Sequence, residues 1–180
     1  MKITQSSLFS LLLAAVLAPV QAQTPDSTSL ELGAGKNAQL LRAGAQWNWD
    51  RQWLNNGSAY LGGYWDLTAA RHRQQRYQNR PGANHGITDI GITPVFRYQG
   101  LGRTGAYAEA GIGVHYFSSL FDNAGHQLAT RFQFGDHLAA GYCFVGGWDV
   151  SVKLQHFSNG GIKHPNGGAN YLILRVAKDL

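Results

Sequence analysis

The amino-acid sequence predicts an all-β protein, an eight-stranded antiparallel transmembrane β-barrel, on three observations. Apolar residues recur at every second position, charges and glycines fill the positions between them in mid-strand, and the connections alternate between longer and shorter. Alternation by two marks strands whose two faces meet different media. A soluble sandwich buries its apolar face on a second sheet and turns its charges to water. A small barrel turns the apolar face to lipid and packs polar and small side chains inside.

The chain opens with Lys2, the apolar run Leu8–Ala18 and then Pro19-Val20-Gln21-Ala22, the order of a secretory signal peptide. Residues 1–22 are therefore expected to be removed and 23–180 to form the barrel. The apolar run is too short to cross a bilayer as a helix, which takes roughly 20 residues. The first strand is read over Thr28–Gly35. In the second, Leu41, Ala43, Ala45, Trp47 and Trp49 alternate with Arg42, Gly44, Gln46 and Asn48. In the third, Ala59, Leu61, Gly63, Trp65 and Leu67 alternate with Tyr60, Gly62, Tyr64 and Asp66. The fourth sets Ile90, Ile92, Pro94 and Phe96 against Asp89, Gly91, Thr93 and Arg97, and only Val95 breaks the rule. The fifth sets Ala106, Ala108, Ala110, Ile112 and Val114 against Tyr107, Glu109, Gly111, Gly113 and His115. Phe132–Phe144 is the sixth. Trp148, Val150, Val152 and Leu154 carry the seventh, and Leu172, Leu174 and Val176 the last.

Counted from a periplasmic N-terminus, the connections near Lys36, Arg71–Gly86, Phe117–Arg131 and Asn159–Gly168 face outward. Those at Asp50–Asn56, Gln99–Arg103 and Val145–Gly147 face the periplasm and are on average shorter, as such barrels require. Trp47, Trp49, Trp65 and Trp148 fall near strand ends, where interfacial girdles form. Arg42, Asp66, Arg97 and Glu109 read as a charge network in the lumen. Cys143 also has lumen parity; as the single cysteine it excludes an intramolecular disulfide. The formal charge of +5 hints only weakly at anionic partners, and export excludes nucleic acid as a partner. His115, His126 and His137 have no metal-ligand spacing.

The stretch "LQHFSNGGIKHPNGGAN", Leu154–Asn170, carries the chemistry. His156 and Ser158 share the parity of Val152 and Leu154, so they face lipid at the outward end of their strand, and Asn170 shares that face in the last strand. A polar pair on a lipid wall needs a reason, and a substrate that reaches it there is itself a lipid. A serine hydroxyl becomes a nucleophile beside a base whose tautomer a third group holds. The amides of Asn159, Gly160 and Gly161 are placed to donate to an oxyanion. A His-x-Ser on a strand is by itself commonly ordinary rim chemistry.

Over "FQFGDH", Phe132–His137, and "HFSNGGIKHPN", His156–Asn166, the sequence resembles the PagL family of outer-membrane lipid A 3-O-deacylases. The second motif is the more specific, and the likeness extends more loosely through the eight-strand pattern. The resemblance implies a barrel in the outer membrane with lipid A, or lipopolysaccharide, as substrate, His156 as general base and Ser158 as nucleophile. It also implies oxyanion donors near Asn159, Gly160 and Gly161, no metal cofactor, and a homodimer as one assembly.

The sequence departs from the family at Asn170, which stands where the family carries Glu or Asp. An amide oxygen still accepts the imidazole N–H but brings no charge. If Val145-Gly146-Gly147 is a turn and Phe144 pairs with Trp148, Asp136 falls opposite His156 on the same face, as a compensating acid or as a rim aspartate that holds the loop. Arg71, Arg73, Arg76 and Arg80, with His72 and His85, lie in the outward Arg71–Gly86 loop. Guanidinium groups there match phosphates of the substrate, or are simply solvated. Two other readings share this pattern: a catalytically degenerate barrel that only binds lipopolysaccharide, and a phospholipase or acyltransferase on the same scaffold.

Overall fold

The structure, a computed structural model, describes residues 24–180; the expected signal peptide, 1–22, lies outside them. The strands are β1 (Ser27–Gly35), β2 (Ala38–Asn48), β3 (Ala59–Gln74), β4 (His85–Gly100), β5 (Gly105–Phe117), β6 (Asp122–Asn123), β7 (His126–Gln127), β8 (Phe132–Cys143), β9 (Trp148–Ser158) and β10 (Ala169–Asp179). Eight of them close into an antiparallel barrel in the order β1-β10-β9-β8-β5-β4-β3-β2, and β6–β7 is a separate hairpin. Closure pairs β1 with β10 from Ser27↔Asp179 to Gly35↔Tyr171. No barrel strand keeps a free edge, so every ladder hydrogen bond is made within the wall, as lipid demands.

Side chains sort by parity as the alternation predicts. Leu41, Ile90, Ile112, Leu138, Leu154 and Leu172 stand exposed on the outer wall. Arg42, Asp66, Asp89, Arg97, Glu109, Lys153 and Arg175 are buried inside. Glu31 sits among the charges: Arg42 Nη1 donates to its Oε2 at 2.9 Å and Lys153 Nζ to its Oε1 at 2.9 Å. Arg97 bridges Glu109 at 2.9 Å and Asp149 at 2.8 Å. Buried charges survive only when neutralised and hydrogen-bonded, and here the network ties five strands, β1, β2, β4, β5 and β9, across the lumen.

The outward end of the lumen is apolar. Leu40, Ile87, Phe117, Phe157, Tyr171 and Ile173 pack there with Phe121 and Leu128 from the β5–β8 connection. Val95, the exception to the fourth strand's alternation, is likewise fully buried. The β6–β7 hairpin within that connection, which the sequence did not predict, lies over this core. Asn123 of the hairpin donates from Nδ2 to the carbonyls of Lys36 and Asn37, both at 3.0 Å, while the Gly167 N–H donates to the Gln127 carbonyl at 2.8 Å. The hairpin thus fastens the 159–168 loop to the β1–β2 turn.

β3 and β4 run further outward than predicted, to Gln74 and from His85, so the expected Arg71–Gly86 loop shrinks to residues 75–84. The reason is that Arg71 and Arg73 outside alternate with His72 and Gln74 inside, polar against polar. Hydrophobic periodicity is blind to such a strand end. The β8–β9 turn is the predicted one: the Phe144 N–H donates to the Trp148 carbonyl at 2.7 Å, with Gly146 and Gly147 at φ of 89° and 77°. That turn sets the register of the candidate site.

Candidate active site

β9 is flanked by β8 and β10, and His156 pairs in register with Asp136 on one side and Asn170 on the other. All three lie on the outer wall by strand parity. His156 Nδ1 is 2.6 Å from Asn170 Oδ1. An amide oxygen only accepts, so Nδ1 carries the hydrogen and Nε2 keeps its lone pair, the tautomer a general base needs. Asn170 therefore fills the orienting position although it carries no charge.

Gly168 seats the ring from behind. Its φ is +67°, in the left-handed region that favours glycine, and a Cβ there would come within 2.7 Å of His156 Cε1. Sequence reading did not single out Gly168; among the glycines of that loop, no local pattern says which one meets the histidine.

Ser158 ends β9 on the same face as His156 and is half-buried. No Ser158–His156 hydrogen bond is formed among the described residues; contacts of this kind commonly tighten only with substrate bound. Beyond the serine, Asn159 folds the loop back on itself. Its N–H donates to Asn166 Oδ1 at 2.9 Å, its Nδ2 to the Lys163 carbonyl at 2.6 Å, and its Oδ1 accepts from the Gly161 N–H at 3.0 Å. Of the three expected oxyanion donors, Asn159 and Gly161 thus have their N–H groups engaged within the loop. The Gly160 N–H has no protein acceptor among the described residues. Gly160 also lies against the Phe134 ring, which a Cβ would approach to 2.9 Å.

Below the three polar residues an external groove of ≈ 760 Å³ runs along the wall. Asp136, His156 and Asn170 stand at its outward end, and Ala110, Ile112, Leu138, Leu154, Leu172 and Phe96 line the rest. Ala110 and Gly111 are the small residues of that lining. Ser158 is not part of that lining; it follows His156 at the outward end of β9, so an apolar furrow that reaches the histidine suits an acyl chain whose ester lies at the rim.

Asp136 has the register expected of it, but its side chain makes no hydrogen bond or ion pair among the described residues; only its backbone carbonyl accepts, from Gln155 Nε2 at 3.1 Å. The arginines are not brought to this site. Arg71 and Arg73 project from β3, and both paths round the barrel from β9, through β8, β5 and β4 or through β10, β1 and β2, arrive at β3 after the same number of strands. They stand on the opposite wall, where Arg71 Nη1 donates to Thr88 Oγ1 at 3.1 Å and Arg73 Nε to Asn84 Oδ1 at 3.2 Å. Arg76 and Arg80 lie in the 75–84 loop that follows, which pairs with the β6–β7 hairpin: the Arg76 N–H donates to Asn123 Oδ1 at 2.9 Å and its carbonyl accepts from the Ala124 N–H at 3.0 Å. His72 is buried in the lumen between Tyr171 and Asp89, and His85 stacks on Tyr77 at 4.4 Å.

Among the described residues no three His, Cys, Asp or Glu side chains are arranged to hold a metal ion.

The family model for lipid A 3-O-deacylase (PagL) matches residues 39–179. A lipid A deacylase PagL of Pseudomonas aeruginosa is 33% identical over 149 residues, spanning 82% of this chain and 82% of the relative. One from Bordetella bronchiseptica is 32% identical over 166 residues, 90% of this chain and 88% of the relative. The crystal structure of the outer membrane enzyme PagL superimposes with a TM-score of 0.75 at 29% identity, covering 86% of this chain and 99% of that one. With a family model matched over residues 39–179 and relatives above 30% identity over most of its length, the chain belongs to the PagL family of lipid A 3-O-deacylases.

Proposed function

We propose that Ser158 and His156 carry out the reaction of this outer-membrane family, hydrolysis of the ester-linked acyl chain at the 3-position of lipid A. Ser158 Oγ attacks the ester carbonyl while its proton passes to His156 Nε2. The tetrahedral oxyanion takes the Gly160 N–H as a donor. Collapse breaks the bond to the sugar oxygen, which receives the proton from His156, and leaves an acyl-serine. Water, deprotonated by the same imidazole, releases the fatty acid and restores Ser158. Asn170 holds the ring through both steps.

The observation that carries this reading is the 2.6 Å contact between His156 Nδ1 and Asn170 Oδ1 at the mouth of the apolar groove. A lipid A molecule in the outer leaflet stands beside the wall with its sugars at the rim, so the acyl chain enters the groove sideways without leaving an apolar medium. The test is mass spectrometry of lipid A from cells that express this chain or its Ser158→Ala variant. Loss of one 3-linked acyl chain only with the serine present is the expected outcome; the same loss with both chains would rule out the nucleophile.

A further inference from the structure

We infer that His126, on the β6–β7 hairpin, is a positioning residue for the deacylation: it holds the peptide plane ahead of Gly168 and so keeps the His156 ring in place. The inference rests on the Ser158/His156 reading above. His126 Nδ1 lies 2.9 Å from the Gly167 carbonyl oxygen. A carbonyl only accepts, so the imidazole donates. That oxygen belongs to the peptide unit joining Gly167 to Gly168, whose atoms move as one plane. The Gly168 φ of +67° is a rotation against that plane. A Cβ on Gly168 would come within 2.7 Å of His156 Cε1 and 3.5 Å of Nε2, so a turn of the plane changes the seat of the ring.

The clamp acts where the chain is least constrained. Gly167 and Gly168 are consecutive glycines, which take either sign of φ with little cost. Beyond Gly168 the β9–β10 ladder fixes the backbone, with Ala169↔Phe157 and Asn170↔His156. Before it, the chain docks on the hairpin and the residues that follow. The Gly167 N–H donates to the Gln127 carbonyl at 2.8 Å, the Ala129 N–H donates to the Pro165 carbonyl at 2.9 Å, and Asn166 pairs with Leu128. The hairpin is itself held by Asn123, which donates to the Lys36 and Asn37 carbonyls and accepts the Arg76 N–H. His126 thus donates from a fixed base. It lines a small notch of ≈ 110 Å³ with Lys36 and Gly168, and it does not line the acyl groove. Its route to the chemistry therefore runs through Gly168 to His156, whose other restraint among the described residues is the bond to Asn170. A small displacement of a general base is costly in rate but leaves substrate binding intact.

The test measures kcat and KM separately on lipid A in detergent micelles, with folding checked by heat-modifiable gel mobility. His126→Ala and His126→Phe, the second keeping a ring without a donor, are expected to lower kcat by about tenfold with KM within about twofold of the parent. His126→Asn, whose side-chain amide donates with a similar reach, should recover most of that loss. Added to Gly168→Ala, His126→Ala should cost nothing more, because both act on one ring through one residue, whereas independent effects multiply. A parent-like kcat in folded His126→Ala overturns the inference, as does a phenylalanine variant as active as the asparagine one. Losses that multiply in the double variant also overturn it, and so does a loss carried by KM, which marks a contact with substrate. Ser158→Ala is assayed alongside: turnover surviving in that variant sinks the Ser/His reading itself, while a silent His126 leaves that reading standing.

Discussion

Asn170 holds the imidazole of His156 from the neighbouring strand, with Oδ1 2.6 Å from Nδ1 across a register pair of β9 and β10. The contact fixes ring orientation and tautomer without a charge. In a serine protease, Asp to Asn at the corresponding position costs roughly 10⁴ in rate, chiefly through the wrong tautomer. Here the amide presents its oxygen, so that part of the loss is avoided and only stabilisation of the imidazolium is missing. Asn170→Glu is expected to raise kcat by about tenfold or more, and Asn170→Ala to lower it by roughly 10² as the ring loses its tether. Initial deacylation rates in micelles decide; a glutamate variant no faster than the parent would show that charge is not what the site lacks.

Gly168 should be as sensitive as the residues that do chemistry. A Cβ at this position meets His156 Cε1 at 2.7 Å, and the φ of +67° adds roughly 1 kcal/mol of backbone cost for any other residue. Gly168→Ala is expected to lower kcat by at least about tenfold through displacement of the ring, with the barrel still folded. Full activity in a folded Gly168→Ala protein would mean the imidazole has room to yield.

Ala110 is a small residue in the lining of the groove proposed to hold the acyl chain. The chain moves from lipid into the groove, so no hydrophobic gain rewards the transfer and fit alone decides. Ala110→Phe is expected to slow hydrolysis of long-chain esters several-fold more than that of short-chain ones, because only the longer tail reaches past the new ring. Parallel losses on both lengths would place the acyl chain elsewhere.

Arg71 and Arg73 are expected to contribute little to turnover, since β3 lies across the barrel from β9. Arg71→Ala and Arg73→Ala should change kcat/KM on lipid A in micelles by less than about twofold, the ordinary effect of an exposed side chain away from special features. A large rise in KM would instead show that the substrate's phosphates reach that wall.

Glu31 holds the lumen together. It is fully buried and neutralises Arg42 and Lys153 at 2.9 Å each. Glu31→Leu leaves three cations, Arg42, Lys153 and Arg175, without their shared counter-ion and should destabilise the barrel by about 3–5 kcal/mol. Urea unfolding in micelles, followed by tryptophan fluorescence, checks this. An unchanged midpoint would mean that water or another lumen acid compensates.

The sequence alone determined what depends on alternation. Because side chains on a strand point to opposite faces in turn, the list of apolar positions already assigned lumen and lipid walls, and with them the shared outer face of His156, Ser158 and Asn170. It put Asp136 opposite His156 only on the condition of a tight turn at Val145–Gly147, and the structure supplied that turn. Where polar residues occupy both faces, as at Arg71–Gln74, the same signal fell silent and two strands were read too short. The loop after Ser158 was legible as a run of glycines and asparagines, but not as a folded unit in which Asn159 and Asn166 engage two of the three expected donors. Only the closed barrel decided which strands stand side by side. Closure is a long-range condition on strand order and register, and it set β3 and its arginines opposite the site, brought Gly168 against the histidine ring and gathered aliphatic residues of β5, β8, β9 and β10 into one groove.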